Sequence, residues 1–147
     1  MNVNIKINQS DLNKLKNKLD KMRAFESKTL SNELGKTGME IVRLAKREVP
    51  APTGTLRNSI STQRSGKSVN VVAAANYAPY VEFGTGGSVD LTDMIELGIP
   101  PSYAAQFKGK GIRDVNLPAR PFFFSSARIG FKNLLNRLNG EIKKAIK

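Results

Sequence analysis

The sequence predicts an α+β fold, in which a long N-terminal helix and a C-terminal helix pack on a small antiparallel β-sheet, with a long loop completing the chain. Three observations carry that expectation. Apolar residues recur at helical spacing near both ends, over roughly 10–48 and from about Ser125 onwards. Two extended runs, Leu56 to Arg64 and Lys67 to Ala75, are separated by Ser65-Gly66, a short polar turn whose glycine can take positive φ, which reads as a β-hairpin. Between the hairpin and the last helix, residues 73–86 gather Tyr77, Tyr80, Phe83 and the carboxylate Glu82 in one short apolar segment, a packing hub more than an active site.

From the N-terminus, Val3-Asn-Ile-Lys-Ile alternates apolar and polar residues and predicts a short edge strand. Ser10 or Asp11 can cap the helix that follows. Leu12, Leu15, Leu19 and Met22 give it an apolar stripe, with Lys14, Lys16, Lys18 and Lys21 on its other faces. Leu30, Leu34, Ile41, Leu44 and Ala45 continue the pattern to Glu48, and Gly35 and Gly38 either weaken it or admit a close neighbour. Pro50-Ala-Pro-Thr-Gly then ends the helix, since a residue before proline is pushed out of the α region. In the hairpin, Val69, Val71 and Ala73 share one face and Val72 and Ala74 the other, and one of these faces meets the long helix.

Pro79 ends the extended run near Asn76 and starts a helical turn, which Gly84 and Gly86 release. Residues 84–117 hold six of the chain's glycines together with Pro100 and Pro101, and predict a long, flexible loop with one short helix over Leu91 to Leu97, capped by Asp90 or Thr92. Pro118-Ala-Arg-Pro-Phe-Phe-Phe brings the chain back to the core in an extended conformation. Tyr77, Tyr80, Phe83 and Phe122 to Phe124 are the expected core aromatics. The final helix has an apolar stripe of Ile129, Leu134, Leu135, Leu138, Ile142 and Ile146 and an otherwise basic surface, its late lysines suiting the negative end of the helix dipole.

The chain has 147 residues, a length expected to make a single domain over 1–147. Its 24 basic and 12 acidic residues give a formal charge of +12, distributed as +5 over residues 1–49, −1 over 50–104 and +8 over 105–147. Contact with an anionic partner, nucleic acid or an acidic protein surface, follows from that balance, and so does simple solubility. Cysteine and histidine are both absent, which removes disulfides, thiolate chemistry, the commonest metal ligand and the commonest general base. No leading apolar run and no span long enough for a bilayer can be read, so a soluble compartment is expected.

Candidate chemistries are correspondingly thin. Asp90, Asp93 and Glu96 have the spacing of one helical turn's polar side before they have that of a metal site. Ser59, Ser61, Ser65 and Ser68 have no histidine to activate them. Gly84-Thr-Gly-Gly is followed by Ser-Val-Asp and not by the lysine and hydroxyl of a phosphate loop, so it reads as a turn. The aromatics sit among prolines and aliphatics, where burial is a better use than base stacking. No enzyme activity and no cofactor are expected.

Three segments together resemble one family. Val49-Pro-Ala-Pro-Thr-Gly-Thr-Leu-Arg-Asn-Ser-Ile, Asn76-Tyr-Ala-Pro-Tyr-Val-Glu-Phe-Gly-Thr-Gly and Pro118-Ala-Arg-Pro-Phe-Phe are similar to the tail-completion, or neck, proteins of long-tailed bacteriophages, grouped as phage morphogenesis proteins. The middle motif is the most specific of the three. The resemblance implies a structural virion protein, made in the host cytoplasm, that joins head and tail within a homo-oligomeric neck ring around the DNA channel. Its implied partners are other neck, tail or head-connector proteins, with non-specific contact to packaged DNA and none to a membrane. Its structural motif falls on Tyr77, Pro79, Tyr80, Glu82, Phe83, Gly84, Pro121 and Phe122. Lys108, Lys110, Arg113 and Arg120 are the expected partner or DNA contacts. A free, non-sequence-specific DNA-binding protein is the alternative.

Overall fold

The computed structural model describes residues 8–50, 54–87, 89–108 and 117–146, and within these leaves out the side chains of Ser27, Ala145 and Ile146. The strand expected over 3–7, the contact residues Lys110 and Arg113, and the middle of the Pro50 to Gly54 break lie outside the described residues, as does the Ile146 side chain at the end of the last apolar stripe.

The long N-terminal helix is continuous but not uniform. Helix α1 (Gln9–Ala24) passes through a π-helical turn (Phe25–Leu30) into α2 (Ser31–Glu48). Its cap is Asn8 and neither Ser10 nor Asp11: the Asn8 carboxamide oxygen accepts from the Ser10 backbone N–H at 3.0 Å. A π turn carries more residues per turn than an α turn, so it rotates the faces of α1 relative to those of α2. The two helices contrast sharply in burial. Helix α2 buries Glu33, Thr37, Gly38, Ile41, Leu44 and Ala45, whereas α1 buries nothing and its leucine stripe faces outward.

Residues 54–59 correct the strand expected to start at Leu56. They form a short helix, α3 (Gly54–Ser59), which buries Leu56 against Ala45 and Val49 and is fastened by the Ser59 hydroxyl donating to the Leu56 carbonyl at 2.8 Å. The hairpin follows as β1 (Ile60–Ser65) and β2 (Ser68–Ala73), antiparallel, in register from Ile60 opposite Ala73 to Ser65 opposite Ser68. Its turn is Gly66-Lys67, one residue later than expected, with positive φ at Gly66 alone, the pattern of a II′ turn. Val71 and Ala73 pack into the main core, and Val69 meets α2 at Gly38, where a Cβ would lie 2.6 Å from Val69 Cγ1. Lys67 at the turn pairs with Glu26 of the π turn at 2.6 Å. The hairpin therefore lies along the long helix on the face that the valines define.

Helix α4 (Ala78–Phe83) has Pro79 in its first turn, as the sequence requires, although β2 already ends at Ala73. The stretch expected as a long loop contains more helix than its glycines suggested: α5 (Leu91–Glu96), capped by Asp90, then α6 (Pro101–Ala104) running into a 3-10 turn (Ala105–Lys108). These turns build a second buried cluster of Val89, Met94, Ala104 and Phe107, against which Phe83 packs. Helix α7 (Phe123–Ile146) starts two residues earlier than expected, so Phe123 and Phe124 occupy its first turn and the extended approach is confined to residues before them. It crosses α2 closely at the buried Gly130, whose missing side chain leaves room for Ile41.

The aromatic core also differs from expectation. Phe122 and Phe107 are the fully buried rings, Phe83, Phe123 and Phe124 are partly buried, and Tyr77 and Tyr80 remain 40 % exposed. A phenol needs water or a partner for its hydroxyl, so Tyr80 lays its ring edge on Phe107, with centroids 5.1 Å apart, and keeps its other side in solvent. Along α7, Leu134 is buried while Ile129, Leu135 and Ile142 are exposed, so only part of the predicted stripe faces the core.

Candidate functional site

The residues singled out by their spacing around Glu82 converge on one joint. Helix α4 presents the Glu82 side chain, which is buried, to the N-terminus of α7 forty residues later in the chain. There its carboxylate accepts three backbone N–H bonds: Oε2 from Phe122 at 2.7 Å and from Phe123 at 2.8 Å, and Oε1 from Phe124 at 3.0 Å. The first N–H groups of a helix have no partner inside it, and a negative charge is favoured at the positive end of its dipole. Glu82 thus caps α7 from a distance, supplying what a local serine or aspartate would normally supply.

The neighbouring motif residues hold that carboxylate in place. The Arg120 backbone N–H donates to the Val81 carbonyl at 2.9 Å, so the chain entering α7 runs beside α4. Gly84 has φ +73°, and a Cβ there would stand 2.5 Å from the Leu117 carbonyl oxygen and 2.7 Å from the Ala119 nitrogen. Only glycine fits a position that needs both positive φ and so close a backbone approach. Past it, the Thr85 N–H donates to Leu117 at 3.0 Å and the Gly86 N–H to Phe107 at 3.0 Å, which ties the second cluster to the same joint. Pro121 precedes Phe122, whose ring is buried in the main core, and Phe83 lies 5.7 Å from both Phe107 and Phe124 by ring centroid.

A second polar constellation, which sequence reasoning missed, joins α2 to α7. Arg137 donates from Nε to Glu33 at 2.7 Å, from Nη1 to Glu40 at 3.0 Å and from Nη2 to the Thr37 hydroxyl at 2.7 Å. Asn133 donates to the other Glu40 oxygen at 2.6 Å, and Lys36 to the other Glu33 oxygen at 2.6 Å. Hydrogen bonds from Lys36 first, and then from Arg137, hold the Glu33 carboxyl below its ordinary value of 4.5 against the opposing effect of burial. Asn133 first, then Arg137, do the same for Glu40. The signal available in the sequence was the spacing of Glu33, Thr37 and Glu40 on one helical face, without anything to indicate which arginine would meet it.

Two clefts flank the Glu82 joint. One, of about 530 Å³, is walled by apolar groups of β2, α4, residues 97–103 and the start of α7. The other, of about 410 Å³, lies between Tyr77, Tyr80, Leu56, Leu117, Pro118 and Arg120. Of the expected contact residues, Arg120 is exposed on the rim of this second cleft, and Lys108 is exposed at the end of the 3-10 turn, next to the Phe107 that Tyr80 touches. Among the described residues no group of carboxylates is placed to hold a metal ion, and Asp90, from the one candidate cluster, spends its carboxylate on the N–H of Thr92.

This is an α+β fold whose marked residues fasten its own elements together. Residues 13–84, just under half of the chain, match the HK97-gp10-like family, described as "Bacteriophage HK97-gp10, putative tail-component". Over that stretch the chain is similar to a family of bacteriophage tail components, and the match runs from within α1 to Gly84, taking in the whole of α4 with Glu82. No curated protein matches the chain significantly, and no solved structure does.

Proposed function

We propose that this protein is a structural component of a long-tailed phage particle that joins head to tail, as one subunit of a homo-oligomeric neck or tail-completion ring around the DNA channel. The observation that carries this reading is the family match ending on the Tyr77 to Gly84 motif, together with the use of that motif as a rigid joint between α4 and α7. A ring subunit needs a body that keeps its angle under load, and the joint and the Arg137 network brace the start and the middle of α7. On this reading the chain is one domain, located in the virion, without enzymatic activity or cofactor. Its partners are other neck, tail or head-connector proteins, and its net +12 charge repeated around a ring gives a positive passage for packaged DNA. Lys108, Lys110, Arg113 and Arg120 supply the contacts.

Electron microscopy of virions labelled with gold-tagged antibody against the chain tests this directly. Label at the head–tail junction is expected. Label absent from particles while the protein is abundant in the lysate would overturn the reading and favour a free DNA-binding role. In that case the isolated subunit should bind duplex DNA with an affinity that falls steeply with salt. Changing Lys108, Lys110 and Arg113 together to glutamate should leave a folded subunit that fails to complete particles; a normal particle yield would remove these residues from the contact surface.

A further inference from the structure

We propose that the outer face of α1 is a docking surface for an acidic amphipathic helix carried by another protein of the particle. This deepens the structural reading above and rests on it for a partner within the virion, while the chemistry of the surface stands on α1 alone. Leu12, Leu15, Leu19 and Met22 are 40 %, 55 %, 49 % and 54 % exposed, and no residue of α1 is buried. Their spacing alternates between three and four residues, which is the a/d seam of two heptads. At 100° per residue the seam occupies an arc of about 80°. Lys21, which lines the cleft facing α7 together with Ala24, Phe25 and Lys28, lies about 140° round the helix from the centre of the seam. The chain's own last helix therefore meets α1 on the opposite side, and among the described residues none covers the seam.

Charge decides among the occupants. The positions flanking the seam are Lys16 and Arg23 on one side and Lys18 with Asp11 on the other. A second copy of α1 in antiparallel pairing would set Lys16 and Arg23 against their counterparts; in parallel pairing it would set Lys18 against Arg23. Each arrangement keeps a repelling pair, offset only through Asp11, which would meet Lys18 in the antiparallel case and Lys16 in the parallel one. An acidic flank would instead face Lys16, Lys18 and Arg23 with attraction throughout. A lipid surface calls for a wider apolar face and usually for aromatic residues, and α1 has a narrow seam and no aromatic. Duplex DNA satisfies the lysines but gives the leucines nothing to bury against. A helix with its own leucine seam and acidic flanks satisfies both at once.

The test uses the full chain and two synthetic helical peptides of about three heptads, each with leucine at every a and d position, one flanked by glutamate and the other by lysine. The glutamate-flanked peptide should bind at least about tenfold more tightly than the lysine-flanked one by titration calorimetry. The double variant Leu15→Gln, Leu19→Gln keeps every charge and alters only exposed residues of α1. It should lose about tenfold or more in affinity with its circular dichroism unchanged. Equal binding of the two peptides, no binding of either, or an undiminished double variant would overturn the proposal. So would self-association seen by ultracentrifugation, or attachment to vesicles of mixed zwitterionic and anionic lipid, if the double variant abolished it. Failure here with gold label still at the head–tail junction would remove the seam alone, whereas peptide binding without virion label would remove the tail reading alone.

Discussion

At the scale of single residues, Glu82 is the group on which most depends. Truncating it leaves three N–H groups at the start of α7 without a partner beside a buried ring, so Glu82→Ala should cost about 3 kcal/mol, read as a lower urea midpoint. Glu82→Gln should cost roughly half of that, because one carbonyl oxygen still accepts but the amide NH₂ then faces a donor. Equal stability of both variants with the parent would mean that α7 is capped by something else. The Arg137 network carries a pH dependence of definite sign. Glu33 and Glu40 have carboxyls held below 4.5 in the folded chain, so their stabilisation is present above that value and is lost as pH falls through the lowered values. Arg137→Met should cost about 2 kcal/mol near neutrality, less than for a fully enclosed pair because its side chain is 33 % exposed, and should flatten the acid limb of the stability profile. An unchanged limb would assign the acid sensitivity to other carboxylates. The sequence marked Glu82 by its place among aromatics, but not its partners, since a cap supplied from forty residues away has no local pattern. Arg137 was one of several basic residues on the last helix, and nothing in its spacing distinguished it.

At the scale of elements, the periodic signals were legible where a single segment decides the outcome, as in the hairpin, the Asp90 cap and both long helices. Tertiary contact decided the rest. The extended run expected from Leu56 to Arg64 begins only at Ile60, because burying Leu56 next to Val49 is achieved by a helical turn. Residues 84–117 looked like loop because glycines and prolines punctuate them, while the Met94 and Phe107 side chains that draw the short helices together are far apart in sequence. The two glycines of α2 make a paired test of how such contacts override propensity. A Cβ at Gly35 would meet nothing within 4 Å, so Gly35→Ala should stabilise by about 0.5–1 kcal/mol through helix propensity. A Cβ at Gly38 would press on Val69 and Thr62 of the hairpin, so Gly38→Ala should lose about 1–2 kcal/mol despite the same gain in propensity. Thermal midpoints moving in the same direction for both variants would show that the hairpin does not lie against α2 at this point.

At the scale of the whole molecule, stability is concentrated around α7 and fades towards α1. The Glu82 joint braces the start of α7, the Arg137 network ties its middle turns to α2, and Phe83, packed beside Phe107 of the second cluster, reaches the main core through Phe124 and Phe123. Helix α1 shares in none of this beyond its junction with the π turn and a cleft against the end of α7. An isolated helix of its 16 residues is marginal in water, because nucleation is costly and no apolar face is buried to offset it. Amide hydrogen exchange on the free subunit should therefore show α1 exchanging through local opening far sooner than α2 and the first turns of α7, which should approach the protection of global unfolding. Binding of a glutamate-flanked helix to the seam should slow exchange in α1 and leave α2 as it was, since α2 is already held by its core contacts. If α1 in the free subunit proved as protected as α2, its leucines would have to be covered in solution already, and the molecule would be an assembled body even without its partners.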